Sequence, residues 1–492
     1  MSNLLWRQQK SSQKSIEMVA REFFSIIDPS LVPQVLLLGF ELAKPINETS
    51  FFLEPSGSDL GADDFIKIHE LARQPGTDEK VSKVKSSQKR ITGSQIERAR
   101  FQAYKLAAEN LLMVSPAFEH KQLHLSVPCE IGSYLVFIVL SLPKDVIARY
   151  FTLQKSENAE QNQSTRSFLE SAINVFLSES WGALKDSQFK KRFMDRSSEE
   201  LLKSAGRNFM TSIQENIEPG SDQVSLFDVF DNVSLLRYEG SDAMGKILLA
   251  KQGHSNIVHK LRLSKPIPLK DSRKVRKFLE LSDPDSCVLC DGEYITGLGM
   301  IRGDYNPKQK SLYCINFKGH YKWELLHDGN PLLSVCHGLP KMRVEGIDRN
   351  YFTGLVNQVF KGLNASQTDR LWDITLSATQ QKAGTMLVIS DRAKSEARRL
   401  AGQCFKVEPL VLTEELVSQI TSIDGAVLLD QDCVCHAIGV ILDGIVSDKQ
   451  GDASRGARYN SAIRYFGTNH PKHLILIIII SEDGMINLIP NG

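Results

Sequence analysis

The chain has 492 residues, of which 42% are hydrophobic and 24% charged, and its formal net charge is +1. That length and balance belong to an ordinary globular protein of about two to four domains. Near-neutrality argues against a nucleic-acid binder held by bulk positive charge, and leaves room for a local phosphate pocket.

The N-terminal stretch, MSNLLWRQQKSSQKS, has neither the apolar core nor the small-residue cleavage site of a secretory signal. The longest apolar run, from Leu474 to Ile480, falls far short of the ~20 residues that span a bilayer. A cytoplasmic protein with no membrane contact is therefore expected. The eight cysteines are too sparse in so long a chain to form a disulfide framework, and reduced thiols are expected.

Residues 1–150 read as a mixed α/β region. Ile96 to Met113 has helical spacing, with Ala103, Leu106, Ala107 and Leu111 along one face. Cys129 to Leu142 reads as a strand. The stretches Gln74–Ser94 and Lys155–Ser167 are polar, lack apolar periodicity and read as linkers. Residues 151–220 are expected to be mainly helical, with Phe168, Ile173, Phe176 and Leu177 at helix-like spacing. From about Phe227 the texture changes to short apolar runs broken by Gly, Asp and Asn, the pattern of a β-rich domain over residues 221–345.

A second change comes near Asn350. Helices are predicted over Tyr351–Leu363 and Asp369–Gln380. Strand and helix then alternate: Gly384–Ser390 strand, Ala393–Ala401 helix, Thr413–Thr421 helix, Ala426–Leu429 strand, Ala457–Phe466 helix, Leu474–Ile480 strand. The fold class expected is an α/β C-terminal domain over residues 350–492, a central mixed sheet flanked by helices, preceded by α+β and β-rich domains.

Four pieces of this last region can carry chemistry. Asp424-Gly425-Ala426 puts a carboxylate immediately before a strand, where it can bind a divalent cation or take a proton from a sugar hydroxyl. Arg455-Gly456-Ala457-Arg458-Tyr459-Asn460 leads a polar loop into a helix, whose first N–H groups and arginines suit phosphate. Ser481-Glu482-Asp483-Gly484 follows the Ile-rich strand and offers a hydroxyl and two carboxylates. Gly384-Thr385 opens another strand with a hydroxyl. Taken singly, each reads more simply as a turn or a solvated helix start.

In order and spacing the four together resemble the diadenylate cyclase domain, as found in the DNA-integrity-scanning protein and the membrane-bound cyclic di-AMP synthases. The resemblance covers roughly residues 350–492. It implies condensation of two ATP into cyclic di-AMP, with release of two pyrophosphates. Asp424 would act at the attacking ribose 3′-hydroxyl with metal help, and Gly425 and Ala426 would shape the pocket floor. Thr385, Leu442, Gly456, Ala457, Arg458, Tyr459, Asn460 and Ser481 would bind ATP. The segment Ile438–Leu442 would hold the adenine. Asp424, Glu482 and Asp483 would hold a divalent metal, Mg2+ or Mn2+. Each domain would hold one ATP, so a homodimer or higher even assembly of face-to-face domains is implied. Residues 1–345 would be a sensor region for an unknown ligand.

The sequence departs from the family at one place. The family's Arg-His-Arg falls on Arg458, Tyr459 and Asn460, and only the first is cationic. Arg455 and Arg464 are candidates to compensate. This departure favours a second reading, a domain of the same fold that binds a nucleotide or cyclic dinucleotide without turnover. A third is a scaffold whose β-rich middle binds a protein partner.

Other signals have simpler readings. Cys287-x-x-Cys290, with Cys314 and Cys336-His337 downstream, lacks the paired spacing of a zinc site and reads as strand cysteines. Cys433 and Cys435 read as core thiols. His320, Tyr321 and Trp323 read as a strand face, and the basic run Lys260 to Lys277 as a solvated one.

Overall fold

The computed structural model describes residues 9–28, 30–41, 51–55, 68, 93–154, 165–185, 191, 193–218, 224–342, 349–379, 384–444, 457–469, 473–481 and 486–490. The chain divides into two compact units, Met1–Met342 and Arg343–Gly492. Most of both predicted linkers lies outside the described residues.

In the first unit, helix α1 (Gln9–Ile27) buries Ile16, Val19, Ala20, Phe23, Phe24 and Ile27, the three- and four-residue spacing of one helix face. An antiparallel sheet follows, built from β1 (Gln34–Glu41), β2 (Phe51–Glu54), β3 (Lys121–Leu125), β4 (Cys129–Ile131) and β5 (Tyr134–Pro143), in the order β2-β1-β5-β3 with β4 also on β5. The single strand expected from Cys129 to Leu142 is thus a hairpin, because Gly132-Ser133 supplies a two-residue turn. Helix α2 (Gly93–Val114) sets Tyr104, Ala107, Ala108 and Leu112 against Leu38, Phe40, Phe137 and Val139 of the sheet. After the short α3 (Lys144–Ile147) come α4 (Phe168–Lys185) and α5 (Ser198–Ile217). On α4, Phe176 packs against Phe23 and Phe24, with ring centroids 5.9 and 5.5 Å away.

The β-rich stretch opens on a helix, α6 (Leu226–Leu235). Ser225 caps it by accepting from the Asp228 N–H, and Phe227 and Phe230, nearly one turn apart, both pack on the fully buried Trp323. Beyond it lie β6 (Met244–Ala250), β7 (Ile257–Pro268), α7 (Ser272–Leu279), β8 (Cys287–Cys290), β9 (Tyr294–Ile301), β10 (Leu312–Gly319), β11 (Lys322–His327), β12 (Asn330–Cys336) and β13 (Leu339–Lys341). The strands form an eight-stranded sheet in the order β13-β12-β11-β10-β6-β8-β9-β7, antiparallel except between β6 and β8.

One basic residue departs from the solvated face expected of Lys260 to Lys277. Arg276 is 1% exposed. Its guanidinium donates to the carbonyls of Leu236, Ser241 and Asp242 at 2.9, 2.9 and 2.7 Å and pairs with Glu280. A buried guanidinium is tolerated here because its donors have partners.

The second unit has α8 (Arg349–Val359), α9 (Ala365–Thr379), β14 (Thr385–Ser390), α10 (Ala393–Arg399), β15 (Phe405–Val411), α11 (Glu414–Ile420), β16 (Ala426–Leu429), β17 (Val434–Val440), α12 (Ala457–Asn469), β18 (Ile475–Ile480) and β19 (Ile486–Ile489). Its six strands form one mixed sheet, β15-β17-β16-β14-β18-β19, in which β14 and β16 are parallel and the other neighbours antiparallel. Strand periodicity splits the core into two layers. Leu387, Ile389, Val427, Leu429, Leu476 and Ile478 face α8, α9 and α11. Met386, Val388, Ala426, Leu428, Ile477 and Ile479 face α10 and α12. Helices thus cover both faces of the sheet, which explains why β18 reads as a continuous apolar run. No described helix of either unit is long and apolar enough to cross a membrane.

Candidate active site

Strand register decides which of the candidate residues meet. In the parallel pair β14/β16, Met386 lies opposite Ala426, so Thr385 and Gly425 start their strands side by side. Strand β17 runs antiparallel to β16 and sets Val440 opposite Ala426, which carries Ile441 and Leu442 out at the same end. Strand β18 runs antiparallel to β14 and sets Ile480 opposite Thr385, so Ser481 leaves there too. Four separate sequence pieces therefore converge on one end of the sheet.

Helix α12 supplies the charge at this end. Arg458, in its first turn, donates from Nη2 to Asp424 Oδ1 at 2.8 Å. The Asp424 side chain is 90% exposed and that of Arg458 32%. The carboxylate thus stands out from the sheet, and a guanidinium sits beside it. Gly425 has φ +114, and a Cβ there would lie 2.6 Å from the Gly439 carbonyl carbon. Only glycine lets β16 begin this close to β17.

Thr385 is 1% exposed, and its Oγ1 is buried without a hydrogen-bond partner. Buried hydroxyls are ordinarily paired, so this unpartnered one departs from the rule at the start of β14. Ala426 and Leu442 are buried in the α10/α12 layer. Tyr459 packs against that layer, Asn460 and Ser481 are half-buried, and Ala457 is exposed. Arg464 sits roughly 240° round the helix from Arg458. Its Cβ would meet a Cβ built on Gly444 at 2.7 Å, and its Nε is buried without a partner. Gly456, Glu482, Asp483 and Arg455 lie outside the described residues.

Behind this end is a polar clasp that sequence reading missed. Glu396 on α10 is 5% exposed. It accepts from Arg399 Nη2 at 2.8 Å and from the Tyr465 hydroxyl of α12 at 2.8 Å. Arg399 also donates from Nη2 to Asp443 Oδ1 at 2.8 Å. Burial pushes the Glu396 carboxyl up, but the hydrogen bonds from Arg399 and Tyr465 outweigh it and leave it below the usual glutamate range. The Arg399 hydrogen bond likewise lowers Asp443. Asp443 adjoins Leu442, so the clasp ties the chain leaving β17 to α10, and through Glu396 to α12. The Glu396/Arg399 spacing of three residues was visible in the sequence, whereas Asp443 is 44 residues from Arg399.

An open-ended carboxylate suits a hard divalent cation through its oxygens. Among the described residues no three His, Cys, Asp or Glu side chains gather as a metal site.

Fold and register define an α/β domain with a carboxylate, a guanidinium and an orphan hydroxyl at one sheet end, a set suited to phosphate esters. Residues 375–492 match the DAC family, described as DisA bacterial checkpoint controller nucleotide-binding, and the second unit therefore carries a DAC-family domain. In the first unit, residues 5–210 match a family described as Probable sensor domain DACNG, and residues 224–329 one described as Probable sensor domain DACNH. No curated protein matches the chain. A solved structure titled as a hypothetical membrane spanning protein from Bacillus cereus is 20% identical, with a TM-score of 0.22. That match spans 28% of this chain and 65% of the other.

Proposed function

We propose that the C-terminal unit is a diadenylate cyclase that condenses two ATP into cyclic di-AMP and releases two pyrophosphates, under control of the preceding sensor domains. The observation that carries this reading is the convergence of Thr385, Asp424–Ala426, Leu442 and Ser481 on one sheet end, with Arg458 2.8 Å from Asp424. Arg458 binds phosphate oxygens, and the Thr385 hydroxyl gains the partner it lacks. Leu442 and the half-buried Tyr459 offer apolar surface to the base. Asp424 orients the 3′-hydroxyl and takes its proton as it attacks the α-phosphorus of a second ATP. Asp424, with Glu482 and Asp483, would hold Mg2+ or Mn2+, which supplies neutralisation of phosphate charge. Because one pocket holds one ATP, cyclisation takes two domains face to face, and a cytoplasmic homodimer or higher even assembly is the working form.

A specific observation favours a second reading. Tyr459 and Asn460 supply no cation, and the charge of Arg458 is already engaged by Asp424. A nucleotide sensor without turnover fits these facts.

Calorimetry with ATP and with cyclic di-AMP, alongside a product assay in Mg2+ and in Mn2+, separates the readings. Binding with product supports the cyclase. Binding without product supports the sensor. No affinity for either nucleotide would leave the domain a scaffold and overturn both.

A further inference from the structure

The eight-stranded sheet of the first unit has a second, smaller apolar layer on the face away from Trp323. Cys314 lies opposite Leu248, and Leu312 opposite Ala250, so these side chains share that face. With Leu289 they form a separate apolar cluster against which Tyr305 packs. Above it is a cavity of about 380 Å3, lined by Leu248, Leu312 and Cys314, by Tyr305, and by Asp304 and Asp328. That volume lies in the range of small-ligand sites.

The wall of this cavity is fixed before any ligand arrives. Between β9 and β10 the chain is held by side chains bonded to its backbone. The Tyr305 hydroxyl accepts from the N–H groups of Ser311 and Leu312 at 2.9 and 3.2 Å. Asn256 Nδ2 donates to the carbonyls of Arg302 and Asp304, both at 3.2 Å. The buried His327 ring faces the Pro307 carbonyl at 3.0 Å and the Leu312 carbonyl at 3.1 Å. A neutral ring donates to one of these and a doubly protonated ring to both. Asp328 follows His327 directly, at the tip of the β11–β12 turn with φ +49. Asp304 and Asp328 are both exposed, and among the described residues neither carboxylate has a hydrogen-bond or ion-pair partner. The apolar floor, the ordered wall and two unanswered negative charges at the mouth are parts of one arrangement. All its residues fall within 224–329, the stretch that matches a sensor family.

We propose that this cavity is a ligand site of the first unit, and that it takes a small organic cation: an apolar or aromatic body on the Leu248–Leu312–Cys314 floor, and an ammonium or guanidinium group between Asp304 and Asp328. Complementary charge selects the ligand's polar end, while the fixed wall lowers the ordering cost of binding.

The test uses the full chain and two probes that share a phenethyl body and carry opposite charge, phenethylamine and 3-phenylpropionate, titrated by calorimetry and by ligand-observed NMR. Phenethylamine is expected to bind saturably at one site per chain, and 3-phenylpropionate at least about ten-fold more weakly. In Asp304→Asn/Asp328→Asn, phenethylamine affinity should fall by about ten-fold or more with the melting temperature unchanged. Both positions are exposed, and Asn tolerates the left-handed backbone at 328. The single variant Asp304→Asn, which touches no strained backbone, should lose part of the affinity. Absence of saturable phenethylamine binding, equal binding of the two probes, or unchanged affinity in the double variant would each overturn the proposal.

Discussion

Two residues at the converging end of the sheet can be tested by what they cost the fold. Gly425 combines a left-handed φ with a 2.6 Å approach to Gly439. Gly425→Ala should therefore destabilise the second unit by about 2 kcal/mol, read as a lower denaturation midpoint. Thr385 should behave in the opposite way. Its Oγ1 is buried without a partner, so Thr385→Val keeps the shape and removes an unsatisfied group. Stability should hold or rise, while ATP affinity drops by about five-fold if the hydroxyl meets a phosphate or sugar. A variant that loses stability and keeps affinity would assign Thr385 to the core alone. The turn-to-strand boundaries at Thr385 and at Asp424-Gly425 were legible in the sequence, and their order and spacing with the later pieces carried the resemblance. Arg276 was not, because nothing in a run of basic residues says which one turns inward to meet backbone carbonyls.

At the scale of elements, the Glu396–Arg399–Asp443 clasp makes a pH prediction. The Glu396 carboxyl lies below its ordinary value in the folded unit. Its contribution is therefore full above the ordinary glutamate range and is lost as pH falls through the lowered folded value. Acid unfolding of the wild type should be steeper below about pH 4 than that of Glu396→Gln. Arg399→Met should cost about 2 kcal/mol near neutrality, since it strips charged hydrogen bonds from two carboxylates. Equal acid midpoints for wild type and Glu396→Gln would show that the clasp adds nothing to stability. Strands of this unit were readable where the apolar run is continuous, as in β14 and β18, because both faces of the sheet are covered. Strand β15 left no such pattern: as an edge strand it is mostly exposed, with Phe405 at 66%. It is fixed instead by pairing with β17.

For the molecule as a whole, the boundary of the second unit matters more than the extent of the family match. The match begins at residue 375, but α8 and the front of α9 supply Phe352, Leu355, Val356, Phe360, Leu371 and Ile374 to one core layer. A fragment of residues 343–492 should fold cooperatively, as seen by circular dichroism and a single thermal transition. A fragment starting at 380 would uncover that face of the sheet, and loss of the four large side chains of α8 and its end alone removes at least about 6 kcal/mol of burial. That exceeds half of a typical domain's stability, so this fragment should be unfolded or aggregated. In the sequence the change of texture falls near Asn350, a few residues past the Arg343 start of this unit. Convergence at one sheet end was not legible there, because it depends on β14 and β16 being parallel while β17 and β18 run against them.

The most direct test of the assigned chemistry is mass spectrometry of the products formed from ATP by the full chain in Mg2+ and in Mn2+, beside Asp424→Asn. The account predicts cyclic di-AMP and pyrophosphate from the wild type and none from Asp424→Asn, with both proteins folded alike. Cyclic di-AMP from Asp424→Asn at the wild-type rate would contradict the role given to this carboxylate, and no product from a wild type that binds ATP would contradict the cyclase itself.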